Sequence, residues 1–170
     1  DRFFNEIKER LAFYNLEMNQ EKSNKIDFSP HGGSIFNFLN FTFYWCTDRG
    51  SSKKRLRIKT KRERLNKAIV EVNTWLKENR NRYVTDKIWN HIKSILRGHY
   101  NYFGLDCNRP KLVHFYYEVN GLLFKWLNRR SQRKSINGAK FKRMLLRNPL
   151  PFPPDVRKLK HLIDLGFYVY

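Results

Sequence analysis

The chain has 170 residues, enough for one domain or two small units, and 41% of them are hydrophobic, enough to build a core. Lys and Arg outnumber Asp and Glu by 35 to 15, a formal charge of +20 that repels itself in a compact state unless a polyanion neutralises it. Nucleic acid is therefore the leading partner class and an anionic membrane surface the second. Three other classes are excluded: Cys46 and Cys107 stand alone, the five histidines share no metal-ligand spacing, and no apolar run approaches the roughly 20 residues that span a bilayer. The lack of a signal peptide sets the expectation of a cytosolic, reduced setting. A first residue, Asp1, that already reads as helical sets the expectation of a piece of something longer.

Phe4, Ile7, Leu11 and Tyr14 recur at helical spacing, with Glu6, Lys8 and Arg10 turned away, which predicts an amphipathic helix over residues 3–16. A turn and a short strand near Lys25–Phe28 follow, broken by Pro30-His-Gly-Gly33. Phe36 to Trp45 alternates with a period of two, as a strand does. Its apolar phase slips between Phe38 and Leu39, which suits a bulge. The turn residues Asp48-Arg-Gly-Ser-Ser52 then lead into Arg55, Arg57 and Lys59 alternating with Leu56 and Ile58. This predicts a β-hairpin with one basic face.

At Thr60 the period becomes helical. Thr60-Lys-Arg-Glu63 has the form of a capping box, and Leu65, Ala68, Ile69, Val72 and Leu76 form the stripe behind it. A second helix is expected from Thr85, burying Ile88, Ile92, Ile95, Leu96 and Phe103, with Gly104 as its C-cap. Its other face carries Lys87, Asn90, Ser94, Arg97 and Asn101, without an acid. Asn108 and Pro110 open the longest helix, with Leu112, Phe115, Tyr116, Val119, Leu122, Leu123, Trp126 and Leu127 on a wide apolar face. Phe141, Met144 and Leu145 mark a last short helix. Pro149, Pro151, Pro153 and Pro154 argue for an extended tail. The fold class is thus α+β and mainly helical. The expected units are 1–59, a small αβ piece with its hairpin; 60–148, a three- to four-helix bundle; and 149–170, a Pro-rich tail.

Two basic blocks carry the chemistry. Lys53–Lys67 holds nine Lys or Arg against the single acid Glu63, and Lys125–Arg147 holds nine with no acid. Exposed aromatics among cations suit unstacked bases, and no recognition-helix or finger pattern appears, so RNA is favoured over duplex DNA. The candidate RNA-binding residues are Lys53, Lys54, Arg55, Arg57, Lys59, Lys61, Arg62, Arg97, His99, Tyr100, Asn101, Tyr117, Lys125, Arg129, Arg130, Arg133 and Lys134. For His99 a hydrogen-bonding or packing role outweighs a general-acid one. Arg129 and Arg130 follow the apolar stripe that ends at Trp126 and Leu127, with no acid nearby, and are expected to reach phosphate. No carboxylate pair is built to hold Mg²⁺ and no nucleophile motif appears, so no catalytic residue is assigned from the residues themselves.

Four segments, in order, resemble the C-terminal part of group II intron reverse transcriptases and maturases. Leu16–Ile26, with Glu21-Lys-Ser23, resembles the palm segment that follows the catalytic aspartates. Phe38-Leu-Asn-Phe41 resembles the primer grip, with Asn40 where the family has glycine. The basic hairpin with Arg97-Gly-His-Tyr-Asn-Tyr-Phe-Gly104, and Trp126-Leu-Asn-Arg-Arg-Ser-Gln132, resemble the thumb, or maturase, region. The resemblance implies a palm remnant over 1–59 and a thumb over 60–148. It implies an RNA-binding function: gripping intron RNA and a template with its DNA primer, in support of splicing and reverse transcription. It also implies that Lys22 matches a palm lysine thought to protonate the departing pyrophosphate, and that Phe38, Leu39, Asn40 and Phe41 sit at the primer. The parent would be an RNA-directed DNA polymerase using Mg²⁺, whose metal-binding Tyr-x-Asp-Asp motif lies upstream of Asp1. This chain would bind no cofactor, be inactive alone, and partner the fingers and upstream palm of the same or a separate polypeptide. No membrane partner is expected. A related reverse transcriptase adapted to defence or spacer acquisition, or a freestanding maturase without polymerase activity, would share this thumb.

Overall fold

A computed structural model describes residues 2–19, 21, 23, 25–33, 35–47, 50–131 and 136–155. Lys22, Arg133, Lys134 and the segment from 156 onward lie outside the described residues. The elements are α1 (Arg2–Phe13), β1 (Phe36–Phe38), β2 (Phe41–Thr47), β3 (Lys54–Thr60), α2 (Arg62–Asn79), α3 (Thr85–Phe103), a 3-10 turn at Asp106–Asn108, α4 (Arg109–Asn128) and α5 (Gly138–Arg147). The chain is α+β and mainly helical.

α4 is the shared partner of the bundle. Pro110 stands in its first turn, where a missing N–H costs nothing, and its apolar face buries Leu112, Phe115, Val119, Leu123, Trp126 and Leu127. Both α2 and α3 pack against it. α2 contributes Leu65, Ala68, Val72 and Leu76, and α3 contributes Ile88, Trp89, Ile92, Leu96 and Phe103, so the periodic stripes mark the core faces. Residues 148–153 run extended across α3 and belong to the same core. Trp89 Nε1 donates to the Asn148 carbonyl at 2.8 Å, Tyr100 Oη to the Pro151 carbonyl at 3.1 Å, and Leu150 is buried. The prolines make this segment extended; the two ring donors of α3 dock it.

Three local expectations are corrected. Phe36–Trp45 is not one bulged strand but two antiparallel strands reversing through Leu39 and Asn40, with Phe38 paired to Phe41. Both turn residues have positive φ, 47° and 66°, as a two-residue type I′ hairpin demands. A reversal of this length shifts the apolar phase as a bulge does, and the strongest turn signal, a glycine, is missing. No strand forms at Lys25–Phe28; instead the Phe28 ring meets Phe36 edge-on at 4.7 Å and lies 5.5 Å from Trp45. Thr60 caps no helix. It ends β3 while α2 starts at Arg62, and Lys61 at the N-cap makes no side-chain cap bond.

Thr60 is claimed by Asn108, fully buried in the 3-10 turn. Asn108 Oδ1 accepts the Thr60 N–H, and its Nδ2 donates to Thr60 Oγ1 and to the Phe103 carbonyl, each at 2.8 Å. Next to it the Ile58 N–H donates to Cys107 Sγ at 3.4 Å. The outer edge of β3 is thus covered by the link between α3 and α4, so the sheet and the bundle share one junction. Gly104 is the C-cap of α3, as expected, but with φ −73° it supplies room rather than a left-handed turn: a Cβ there would lie 2.3 Å from the Tyr100 carbonyl oxygen. α1 makes the weakest contribution. Phe4, Ile7 and Leu11 are half-buried, Tyr14 is exposed, and no residue of α1 is fully buried.

Candidate nucleic-acid interface

The β1–β2 turn is pinned to the bundle. Tyr102 Oη donates to the Leu39 carbonyl at 3.1 Å, and the Lys61 N–H donates to the Asn40 carbonyl at 2.9 Å. Phe41 stacks on Tyr102 with ring centroids 5.8 Å apart and meets Phe103 at 5.3 Å. A bulky residue such as Leu39 is strained at positive φ, and these contacts hold it there. The result is an apolar tip: Phe38 is 59% and Leu39 63% exposed. Strain persists where surrounding contacts over-determine it, and such places often serve a function.

The cations run the length of β3, from Thr60 beside this tip to Lys54 at the far end of the sheet. Lys53, Lys54, Arg55 and Arg62 are exposed, while Arg57 and Lys59 are half-buried. The register sets Arg57 opposite Tyr44 and Lys59 opposite Thr42, and the Lys59 ammonium sits 4.5 Å above the Tyr44 ring. Arg57 lines a shallow pocket between β3 and the start of α4 with Asp106, Cys107 and Arg109. Lys61 lies 3.7 Å from Glu63, an exposed pair worth little in water.

On the bundle, Arg97 and Asn101 of α3 and Tyr117 of α4 are exposed, as an RNA contact requires. Tyr100 and His99 are not. Tyr100 is 5% exposed and bonded to Pro151, and burial raises its hydroxyl pKa. His99 is 9% exposed, stacked on Phe115 with centroids 3.9 Å apart. Tyr100 therefore serves the core, and His99 packs into it while its imidazole also lines a cleft between α2 and α3. In the sequence they sit between the polar residues Arg97 and Asn101, and only the packing of Phe115 on His99 and of Pro151 on Tyr100 shows which sides of α3 are covered. The second basic block divides in the same way. Trp126 is buried, its Nε1 donating to Asn73 Oδ1 at 2.9 Å, with Arg80, Lys125 and Arg129 over its ring at 4.6, 5.2 and 5.6 Å. Lys125 and Arg129 remain exposed, but Arg130 donates to Thr85 Oγ1 at 2.8 Å, tying the end of α4 to the start of α3.

Two residues absent from the sequence-based set belong here. Tyr102, half exposed, holds the hairpin tip, and Arg64 reaches the surroundings of His99. Tyr102 lies two turns beyond Ile95 on the same helical face, a spacing that could have flagged it. Among the described residues, no group of three or more His, Cys, Asp or Glu could hold a metal ion, and no helix is long and apolar enough to cross a membrane. Comparison with family models, curated proteins and solved structures found no match.

Burial, reinforced by Arg64, holds the His99 pKa down at about 4, against 6.5 when free. The unfolded chain therefore takes up this proton first, and native stability is lost as pH falls from about 6.5 towards 4. Denaturation midpoints measured across that window should fall in the parent and fall less in His99→Gln. An identical slope in both proteins would assign the acid sensitivity to other groups.

Proposed function

We propose that the chain is the RNA-binding thumb, or maturase, portion of a group II intron-type reverse transcriptase, with a remnant of the palm before it. One observation carries the reading. The turn Phe38–Phe41 and the segment Arg97–Gly104 each resemble a separate motif of that family, and here they touch through Tyr102, Leu39 and Phe41. A primer-grip-like turn and a thumb helix would have to meet in this way to hold one template–primer between them. Exposed cations on β3, at the start of α2 and at the end of α4 support the same reading, because phosphate contacts supply most of the affinity for a nucleic acid. The apolar tip and Tyr117 supply surfaces on which bases can stack.

In this reading the chain grips RNA while upstream fingers and palm, with Mg²⁺, perform polymerisation. The 170-residue chain should bind a folded group II intron RNA more tightly than an unstructured RNA of equal length, and should extend no primer in the presence of Mg²⁺ and nucleotides. Equal affinity for both RNAs would leave a charge-driven binder and overturn the maturase assignment. Primer extension by the purified chain would place an active site within it.

A further inference from the structure

A cleft of about 500 Å³ lies between α2 and α3, with Asn40 of the hairpin at one end. Its geometry follows from two small residues. Ala68 on α2 and Gly98 on α3 both line it, so neither wall fills the middle. Rings stand at its two ends: Trp75 stacked on His91 with centroids 3.9 Å apart, and Tyr102 beside the hairpin. Gly98 has no local reason to be glycine. It lies inside a 19-residue helix with ordinary φ, and a Cβ built there meets no heavy atom within 4 Å. A helix-interior glycine costs about 1 kcal/mol relative to alanine. Here that loss keeps space open and relieves no clash.

We propose that this cleft receives an unpaired nucleobase of the bound RNA, with Arg64 at its mouth meeting the adjoining phosphate. The proposal rests on the RNA-binding reading above and adds to it a preference for unpaired over paired RNA. Three features select a base over an aliphatic side chain. Rings line both ends, and planar bases stack on rings with little regard to sequence. The imidazole of His99 also lines the cleft, and its Nε2 has no hydrogen-bond partner among the described residues, a demand that the polar edge of a base can meet and a methyl group cannot. Arg64 contacts Glu71 only at 3.5 Å and with both side chains partly exposed, a weak pair that a phosphate can displace. Burial keeps His99 neutral near pH 7, so no buried charge obstructs the base.

The test uses two RNAs: a hairpin with 2-aminopurine at an unpaired loop position, and a fully paired duplex of the same length. The parent chain should bind the loop RNA about tenfold more tightly than the duplex and quench the 2-aminopurine fluorescence. Gly98→Leu, which fills the cleft from a helical position with free space around it, should abolish the quenching. It should also lower loop binding to the duplex level, with the salt dependence maintained and the thermal midpoint equal to the parent's or slightly higher. His91→Ala, at an exposed position, is a second variant that should weaken loop binding several-fold without touching the core. Loop affinity and quenching that survive both substitutions would overturn the proposal while leaving RNA binding intact. A parent that binds neither RNA would overturn the RNA-binding reading itself.

Discussion

Asn108→Leu should cost about 3–5 kcal/mol, a large part of the roughly 5–15 kcal/mol that holds a typical domain folded. Leu keeps the branching and heavy-atom count of Asn but is bulkier, so the loss is mainly polar with some overpacking added. Asn108 is 0% exposed and satisfies the Thr60 N–H, the Thr60 hydroxyl and the Phe103 carbonyl, all at 2.8 Å. Leaving such groups buried without partners costs about 1–3 kcal/mol each, and relaxation recovers part of it. The damage should also be directional, because these bonds join the end of β3 to the link between α3 and α4. Hydrogen exchange should report lost protection at Ile58 and Thr60 before the centre of α4. A variant within 1 kcal/mol of the parent in denaturant titration would mean that the sheet is held by other contacts.

The affinity of the chain for RNA should fall about a thousandfold between 50 and 200 mM salt if six or so phosphates are neutralised, since each contact releases condensed counterions. Lys53, Lys54 and Arg62 are exposed around the hairpin, and replacing all three with Ala should flatten the log–log slope by about two units. The thermal midpoint should hardly move, as for most surface changes. Arg130→Ala should do the reverse. Its guanidinium is committed to Thr85, so the midpoint should drop while the salt slope stays close to the parent value. Binding that barely changes with salt would remove the polyanion reading altogether. A triple variant with an unaltered slope would move the phosphate contacts away from the hairpin.

The core of the bundle could be read from the chain because it depends on short-range geometry. Residues three and four apart share a helical face, and that rule alone picked out Leu65, Val72 and Leu76, then Ile88, Ile92 and Leu96, then Leu112, Phe115, Val119 and Leu123, all of which are buried. The excess of cations was equally plain in the sequence. Trp89 was missed although it is buried, since the indole reaches its partner, the Asn148 carbonyl, across 59 residues. Thr60 was misjudged for a related reason. The capping-box pattern is real in sequence, but Asn108, 48 residues away, takes both the N–H and the hydroxyl that the motif would have used.

By itself, then, the sequence determined the helical faces, the hairpin's basic residues and the net charge of +20, since each follows from local spacing or from simple counting. Only the tertiary structure decided that Phe38–Phe41 is a reversal pinned to α3, that Tyr100 and Arg130 serve the fold while Arg97 and Arg129 face solvent, and that Gly98 and Ala68 stand on opposite walls of one cleft. Those outcomes turn on single hydrogen bonds and ring contacts between residues tens of positions apart. Periodicity gives the face on which a residue lies, but not what comes to cover it.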